Sequence, residues 1–286
     1  MENWRICKKE EWPILLKKDL FLKEGIKYID MDKNLDTDYI YNGDCLEYLK
    51  KIPDNSIDLV ITDPPFNIGK KYDGNYNDHL KFEEYLAWCY KWLDELARVI
   101  KIGGSLYIFN YPENNAYLKV YLDKKKELNF RRWLTWHYPT NTGHSKNNYT
   151  RTQDSILFYT KGDNYTFNKE IVAQPYKNPT DKRVKKLIKS GKKGTGPYDV
   201  LMVNLVKNVS KEKTEHIAQL PLSLVEIFVK ASSNTGEIVF DPFMGSGTTA
   251  VAAKMNGRHY LGCEISPKYC DIIDKRLKDI PKPLLS

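Results

Sequence analysis

The sequence predicts an α/β fold, a mostly parallel sheet covered by helices on both faces. Runs rich in β-forming residues alternate along the chain with stretches whose apolar residues recur three or four positions apart. This alternation is typical of parallel strands joined by helices. Ligands of such sheets bind beyond the carboxyl ends of the strands. Acidic residues follow or end four of these runs, namely Asp44, Asp63, Asp241 and Glu264.

Each predicted element has its own local signal. The strand runs are rich in β-branched and aromatic residues, and most lead into Gly, Asp or Pro. They are 39–42, 57–62, 105–109, 133–137, 155–159, 237–240 and 259–263. The run from 105 follows a turn predicted at Gly103 and Gly104. Helical spacing of apolar residues predicts helices over 82–99, 221–231 and 248–255.

The composition is that of a globular protein rather than a disordered or fibrous one. Of the 286 residues, 41% are hydrophobic and 29% are charged. No apolar run approaches the ~18 residues that a membrane span needs, and the first ten residues have no apolar signal-peptide core. The five cysteines are widely spaced without a C-x-x-C pair, which argues against a disulfide framework or zinc site. We therefore expect a cytoplasmic protein with no metal.

Positive charge is concentrated between residues 161 and 213. This segment has 13 Lys or Arg residues against 5 acidic ones, an excess equal to the net charge of +8 of the whole chain. A basic insert on an otherwise neutral chain is typical of contact with a polyanion such as a nucleic acid. A solvated, lysine-rich surface is the alternative interpretation.

A glycine-rich turn joins a predicted strand to a predicted helix over residues 240–250. Gly245 and Gly247 can adopt backbone angles that other residues disfavour, and the helix start offers free N–H donors. Glu264 follows Asp241 by 23 residues, a spacing typical of a nucleoside cofactor site. The third glycine of the dinucleotide pattern and the lysine of a phosphate loop are both missing. A tight strand–helix turn is the alternative interpretation.

A second motif follows the strand at 57–62. Asp63, Pro64, Pro65 and Phe66 place a carboxylate, carbonyl groups and an aromatic ring on a rigid backbone, because each proline fixes φ and removes an N–H. This set suits a planar ring with an exocyclic amine. The ring can stack on Phe66, while the amine donates one hydrogen to Asp63 and the other to the Pro64 carbonyl.

Taken together, residues 63–66 and 241–249 resemble the catalytic and cofactor motifs of the S-adenosylmethionine-dependent amino-methyltransferases of DNA. The resemblance covers roughly residues 39–275 apart from the basic insert. The catalytic motif comes first, as in the β class of restriction-modification type. The resemblance implies a Rossmann-like, circularly permuted sheet of seven strands. It divides the chain into an N-terminal extension (1–37), a catalytic half (38–160), a target-recognition region (161–213) and a cofactor half (214–286).

The resemblance also implies roles for individual residues. The catalytic residues would be Asp63, Pro64, Pro65 and Phe66. Residues 216–222 resemble a motif at the methionine end of the cofactor but depart from it at 217, 218 and 220. The implied contacts to S-adenosylmethionine are Asp44, Cys45, Asp63, Gln219, Pro221, Asp241, Phe243, Gly245, Ser246, Gly247, Thr248, Thr249 and Glu264.

Two polar loops and the insert are expected to face DNA. The loops are 67–78 and 138–152, and we expect His137 and His144 to form hydrogen bonds or to be structural rather than catalytic. The predicted DNA contacts are Lys70, Lys71, Asn141, His144, Lys146, Arg151, Lys182, Arg183, Lys185, Lys186, Lys192 and Lys193.

The resulting hypothesis is methyl transfer from S-adenosylmethionine to the N6 amine of adenine in double-stranded DNA, with base flipping and direct in-line attack. Asp63 favours adenine, because Ser is commoner at this position in cytosine-N4 enzymes. Cytosine N4, an RNA or protein amide, and a catalytically silent DNA-binding protein are the alternatives. The expected partners are double-stranded DNA and, where a restriction system is present, an endonuclease acting on the same site. We expect no membrane, and a monomer or homodimer.

Overall fold

The computed structural model describes residues 35–73, 78–139 and 145–280. Its strands are β1 (Tyr39–Asn42), β2 (Ile57–Thr62), β3 (Ile100–Asn110), β4 (Asn129–His137), β5 (Gln153–Thr160), β6 (Val200–Met202), β7 (Ile238–Asp241) and β8 (His259–Glu264). Its helices are α1 (Cys45–Leu49), α2 (Phe82–Val99), α3 (Pro112–Lys125), α4 (Lys182–Lys189), α5 (Leu222–Ser232), α6 (Thr248–Met255) and α7 (Pro267–Lys278).

The strands form one mixed sheet in the order β1-β8-β7-β2-β3-β5-β4-β6. Within the described ranges, β5 alone runs antiparallel to both of its neighbours. The predicted mostly parallel sheet is therefore confirmed. The described sheet has eight strands rather than the expected seven, because β6 pairs parallel with Thr135–His137 at the edge. This three-residue strand comes from the basic insert and is too short to show a strand pattern in the sequence.

Apolar clusters cover both faces of the sheet. On one face α1, α2 and α3 pack through residues such as Leu49, Trp92 and Leu118, all fully buried. On the other face α5, α6 and α7 pack through residues such as Phe228 and Ile273. This arrangement leaves the carboxyl ends of the parallel strands accessible between the two helical layers.

The predicted turn at Gly103 and Gly104 is wrong. Both glycines lie inside β3, which begins at Ile100. A Cβ atom at Gly104 would lie 2.8 Å from the Asp58 carbonyl oxygen, and the pairing of β2 with β3 shifts register between Ile57 and Leu59. The glycine pair therefore marks a bulge where two backbones come close, not the start of the strand.

Helix boundaries follow the predicted spacing where one face of the helix is buried. Helices α2 and α6 have the predicted bounds, and α5 is displaced by one residue. Helices α1, α3, α4 and α7 were not predicted. Helix α3 mixes buried Leu118 with exposed Tyr117 and Val120, so its apolar residues have little helical periodicity. In α7 the signal is the cap, since the Ser266 hydroxyl accepts a hydrogen bond from the Tyr269 N–H.

The basic insert is attached to the main sheet at two places. Strand β6 extends the sheet beside β4, and the Asn168 amide donates to the carbonyl oxygens of Lys230 and Ser233 at the end of α5. Helix α4 has no buried residue. No helix in the described parts of the chain is long and apolar enough to cross a membrane.

Candidate active site

Two adjoining cavities lie at the carboxyl ends of the parallel strands. The first contacts the ends of β1, β7 and β8, and the second lies beside β4, β5 and the end of the insert. Each encloses an empty volume of about 930–940 Å³, part of it open to solvent, within the usual range for ligand pockets. Four residues line both cavities: Asp63, Tyr72, Ala218 and Leu220.

The walls of the first cavity are acidic. Asp44, Asp63, Asp73, Asp241 and Glu264 line it, and no lysine or arginine within the described ranges does. Apolar and aromatic side chains form much of the remaining surface, including those of Trp88, Phe243, Ile265 and Tyr269. These walls favour a ligand with positive charge and hydroxyl groups over one with phosphates.

The glycine-rich turn adopts the backbone that only glycine tolerates well. Gly245 has φ of 54° and Gly247 has φ of 80°, both in the left-handed region. A Cβ atom at Gly247 would lie 2.9 Å from the Ile273 side chain, and one at Gly245 would lie 3.0 Å from the His216 ring. The two glycines therefore allow the turn to pack closely against α7 on one side and the 216–220 segment on the other.

Buried Asp241 fixes the start of this turn. Its carboxylate accepts hydrogen bonds from the Phe243 N–H at 3.0 Å and from the Thr249 hydroxyl at 2.7 Å. Burial raises the pKa of Asp241 to about 7 despite these two donors. Neutral pH is thus close to the pKa of the Asp241 carboxyl. A cation placed in the cavity would favour the ionised form of this carboxyl.

Glu264 and Asp44 also accept hydrogen bonds from backbone N–H groups of the protein. Glu264 accepts from the Gly245 N–H at 2.7 Å and from the Ser266 N–H at 2.9 Å. Burial raises the pKa of Glu264 to about 7. Asp44 caps α1 by accepting from the Leu46 N–H at 2.7 Å. Each carboxylate retains further lone pairs, so both can still accept from ligand hydroxyls or amines.

Neighbouring side chains hold the backbone of the 63–66 segment. The Tyr85 hydroxyl, on α2, donates to the Pro65 carbonyl at 3.0 Å. The Asn114 amide, on α3, donates to the Phe66 carbonyl at 2.9 Å. These two positioning residues were not predicted, because nothing in a helical sequence pattern shows that a side chain reaches a loop carbonyl.

By contrast, the Asp63 carboxylate and the Pro64 carbonyl accept no hydrogen bond from the described residues. Burial raises the pKa of Asp63 well above its usual range, and the nearby carboxylates of Asp154 and Asp241 raise it further. The positive charge of Lys70 acts in the opposite direction. Two acceptors at the junction of the cavities are thus available to a ligand that brings hydrogen-bond donors.

Aromatic side chains dominate the second cavity. Phe66, Tyr111, Trp136 and Tyr138 line it together with the carboxylate of Asp154. The Phe66 and Tyr111 rings meet edge to face with centroids 5.0 Å apart. Such a cavity can take a planar ring and stack it on an aromatic face.

The structure places the predicted cofactor residues unevenly. Ten of them line the first cavity: Asp44, Cys45, Asp63, Asp241, Phe243, Gly245, Ser246, Thr248, Thr249 and Glu264. Gly247 does not line this cavity and lies against Ile273. Gln219 lines the second cavity instead, where its amide bonds Thr214 and Glu212 and holds that loop. Pro221 lines neither cavity and precedes α5 as its N-cap.

The predicted DNA contacts also divide into groups. Lys70 lines the second cavity. Arg151 pairs with Glu113 at 2.7 Å, and its guanidinium lies over the Tyr111 ring at 3.9 Å. Asn141 and His144 lie outside the described residues. The remainder are exposed, in loops or on and after α4: Lys71, Lys146, Lys182, Arg183, Lys185, Lys186, Lys192 and Lys193. The described residues contain no cluster able to hold a metal ion.

Several lining residues of the first cavity were missed by sequence reasoning. The Ser266 hydroxyl donates to the Asp73 carboxylate at 2.7 Å, so the loop after the 63–66 segment reaches the start of α7. The His216 ring lies edge to face with Tyr269, with centroids 4.5 Å apart. Burial lowers the pKa of His216 to about 4, so the ring is neutral at pH 7. The helical spacing in α2 predicts buried positions but gives no sign that Trp88 faces a cavity. Tyr269 lies in α7, a helix that was not predicted.

Comparisons with known proteins agree with this geometry. The model of the N6/N4 DNA methylase family matches residues 57–275. The type II methyltransferase M.BamHI of Bacillus amyloliquefaciens is 38% identical over 264 residues, which cover 89% of this chain and 59% of that protein. The type II methyltransferase M1.MboII of Moraxella bovis is 33% identical over 82% of this chain and 94% of its own length.

Similar solved structures include the M1.HpyAVI–SAM complex, with a TM-score of 0.60 and 23% identity over 83% of this chain and 98% of that one. The cytosine-N4-specific PvuII DNA methyltransferase has a TM-score of 0.65 and 19% identity over 88% of this chain and 89% of that one. At these identities the likeness shows the shared fold. The family match and the sequence relatives go further: this chain is an enzyme of the N6/N4 DNA methylase family.

Proposed function

We propose that the chain transfers a methyl group from S-adenosylmethionine to the N6 amine of adenine in double-stranded DNA. The observation that carries this proposal is the junction of the two cavities at Asp63. There the Asp63 carboxylate and the Pro64 carbonyl accept no hydrogen bond from any residue that the structure describes, while the carbonyls of Pro65 and Phe66 are already bonded. An amine with two hydrogens supplies the two donors that this arrangement lacks.

The first cavity has the chemistry expected of the cofactor site. Among the described residues, five carboxylates and no lysine or arginine line it, which suits the cationic sulfonium and ammonium groups of S-adenosylmethionine and disfavours a phosphate-bearing dinucleotide. Asp44 and Glu264 would accept from the nucleoside, and the 245–249 turn would hold the methionine end. When bound, S-adenosylmethionine supplies a methyl group that is already activated by the positive sulfur.

The second cavity would receive the target base, flipped out of the duplex. Phe66 and Tyr111 offer aromatic faces and edges to the ring, and stacking contributes about 1–3 kcal/mol per base against the cost of flipping. The amine donates to Asp63 and to the Pro64 carbonyl, which directs its lone pair toward the first cavity. Asp63 stabilises the positive charge that develops on the nitrogen, and the extra proton leaves after the transfer.

Two facts support adenine as the base. Asp occupies position 63, and the Escherichia coli relative YhdJ, 35% identical over 83% of this chain and 82% of its own length, is named a DNA adenine methyltransferase. The 161–213 insert would contact the recognition site, because its exposed helix α4 has basic side chains on a surface that extends from the sheet edge. The type II relatives support a place in a restriction-modification system.

Product analysis tests the proposal. The protein is incubated with mixed-sequence duplex DNA and methyl-labelled S-adenosylmethionine, and the digested nucleosides are separated. We expect label in N6-methyl-2′-deoxyadenosine with the wild type and with the control Asp163→Ala, whose carboxylate is exposed, and none with Asp63→Ala. Label in N4-methyl-2′-deoxycytidine would overturn the choice of base. Absence of label from DNA, with cofactor binding demonstrated, would overturn DNA as the substrate.

A further inference from the structure

Lys70 is held beside the catalytic segment by a buried carboxylate. Asp78, which is 3% exposed, accepts backbone hydrogen bonds from Asn67 at 2.8 Å, Ile68 at 3.2 Å and Lys70 at 2.8 Å. The chain after Phe66 therefore folds around Asp78. This places the Lys70 side chain in the lining of the second cavity, together with Asp63.

The charged side chains that line the second cavity are two carboxylates and two lysines. Asp63 and Asp154 are the acids, and Lys70 and Lys213 are the bases. The Lys213 ammonium donates to the His216 carbonyl at 2.6 Å, so it is engaged in holding its own loop. In the part of the chain that the structure describes, the Lys70 ammonium forms no ion pair or side-chain hydrogen bond. Of the two lysines that line this cavity, Lys70 is thus the one whose ammonium group has no hydrogen-bond acceptor among the described residues.

The two carboxylates differ in the donors that face them. Asp154 is 9% exposed and accepts from the Tyr138 hydroxyl at 3.3 Å, and Arg151 lies near enough to favour its charge. Asp63 has no donor in the described residues. Two like charges in one poorly solvated cavity favour protonation of one member. Without a nearby cation, Asp63 is the member that would take the proton.

We propose, on the basis of the function proposed above, that Lys70 is a positioning residue that keeps Asp63 ionised for methyl transfer, rather than a contact to DNA phosphate. With both carboxylates ionised and Lys70 charged, the three groups sum to one negative charge. The amine nitrogen gains one positive charge as its bond to the methyl group forms and the sulfur–methyl bond breaks, with the electron pair of that bond going to sulfur. These three groups and the nitrogen therefore sum to zero when the charge on nitrogen is complete.

Other charged and titratable groups act on the two carboxylates, and all of them stay in place when Lys70 alone is changed. Around Asp63 these are Asp154 and Asp241. Around Asp154 they are Tyr138, Arg151 and Glu113. Lys70 opposes the rise in the pKa of both Asp63 and Asp154. A comparison of pH profiles with and without Lys70 thus isolates its contribution.

The test is the pH dependence of kcat for Lys70→Met, which keeps an unbranched side chain shorter by one atom and removes its charge. At saturating DNA and cofactor, we expect the acid limb of the kcat profile to move to higher pH by about one unit. The kcat of the variant should then be about tenfold lower than that of the wild type at pH values below the limb and little changed above it. Lys70→Arg should keep the wild-type limb. Adding Asp154→Asn to Lys70→Met should move the limb back, because the competing carboxylate is then neutral.

Lys71→Met is the matched control, since Lys71 is the exposed neighbour and does not line the cavity. It removes the same charge, and because DNA is saturating, any lost DNA contact should raise KM for DNA and leave the acid limb of kcat unmoved. An unmoved limb in Lys70→Met, an equal loss of kcat at every pH, or an equal shift in Lys71→Met would each overturn the role of Lys70. A ¹³C NMR titration of the Asp63 carboxyl in the free protein, assigned with Asp63→Asn, measures the same effect without turnover. A shifted titration in a protein that does not methylate DNA would therefore refute the proposed function alone.

Discussion

Asp241→Asn is expected to stabilise the ligand-free protein while weakening cofactor binding. The substitution preserves shape and bonding: Oδ1 still accepts from the Phe243 N–H, and the Thr249 hydroxyl can turn to accept from the new amide. Only the charge is lost. Because Asp241 is 3% exposed, its negative charge lowers the stability of the folded protein when the cavity is empty. The charge is favourable only when a cationic ligand is bound.

The magnitude follows from the pKa of Asp241, which burial raises from 3.8 to about 7. A shift of about three units corresponds to about 4 kcal/mol. Between these two values the folded protein holds a proton that the unfolded chain releases, so the stability of the wild type falls as the pH rises from about 4 to about 7. The Asn variant lacks this loss. It should match the wild type near pH 4 and exceed it by up to about 4 kcal/mol above pH 7.

Thermal unfolding of both proteins across this pH range measures the difference. At about 2–4 °C per kcal/mol, the variant should melt several degrees higher above pH 7 and at the same temperature near pH 4. Calorimetric titration at about pH 8 should show S-adenosylmethionine binding weakened by about tenfold or more, which corresponds to about 1.4 kcal/mol. A difference in melting temperature that does not change with pH would contradict a destabilising charge on Asp241. A variant less stable than the wild type above pH 7 would contradict it as well.

Three further substitutions test how the site is held. Gly247→Ala should lower stability by about 2–4 kcal/mol, measured by urea unfolding, because φ is 80° and the new Cβ would meet Ile273 at 2.9 Å; an unchanged midpoint would contradict this. Tyr85→Phe removes the donor to the Pro65 carbonyl and should reduce kcat by about tenfold with a smaller change in KM for DNA; the reverse pattern would count against a positioning role. Asp78→Asn leaves an amide facing the N–H groups and should also lower kcat, while its near-ultraviolet circular dichroism stays that of the wild type; an unaffected kcat would show that the loop is held by other means.

Much of the fold could be predicted because most strands carry strong local signals. In the buried run 57–62, β-branched residues predict the strand that forms. In the segment 238–255, β-branched residues predict the strand, glycines predict the turn, and helical spacing of apolar residues predicts the helix. Helix α3 could not be predicted, since its exposed Tyr117 and Val120 obscure the periodicity. Strand β6 forms only because the insert returns to the edge of β4, a tertiary pairing that no three-residue pattern encodes.

The site shows the same division between local and long-range information. Asp63, Asp241 and Glu264 could be predicted because the carboxyl ends of parallel strands converge. Gln219 was assigned to the cofactor by resemblance, yet its amide holds the 212–219 loop beside the second cavity. Tyr85 reaches the Pro65 carbonyl from 20 positions along the chain, and such a contact depends on the packing of α2 against the sheet rather than on any spacing in the sequence.

The proposed function requires the two cavities to hold cofactor and base on either side of Asp63. The most direct measurement is a crystal structure of the protein with S-adenosylhomocysteine and a duplex that contains its methylation site. We expect the nucleoside and sulfur in the first cavity and a flipped adenine in the second. The adenine amine should lie within about 3 Å of both the Asp63 carboxylate and the Pro64 carbonyl. A base that remains stacked in the duplex, or an amine bonded to neither of these two acceptors, would contradict it.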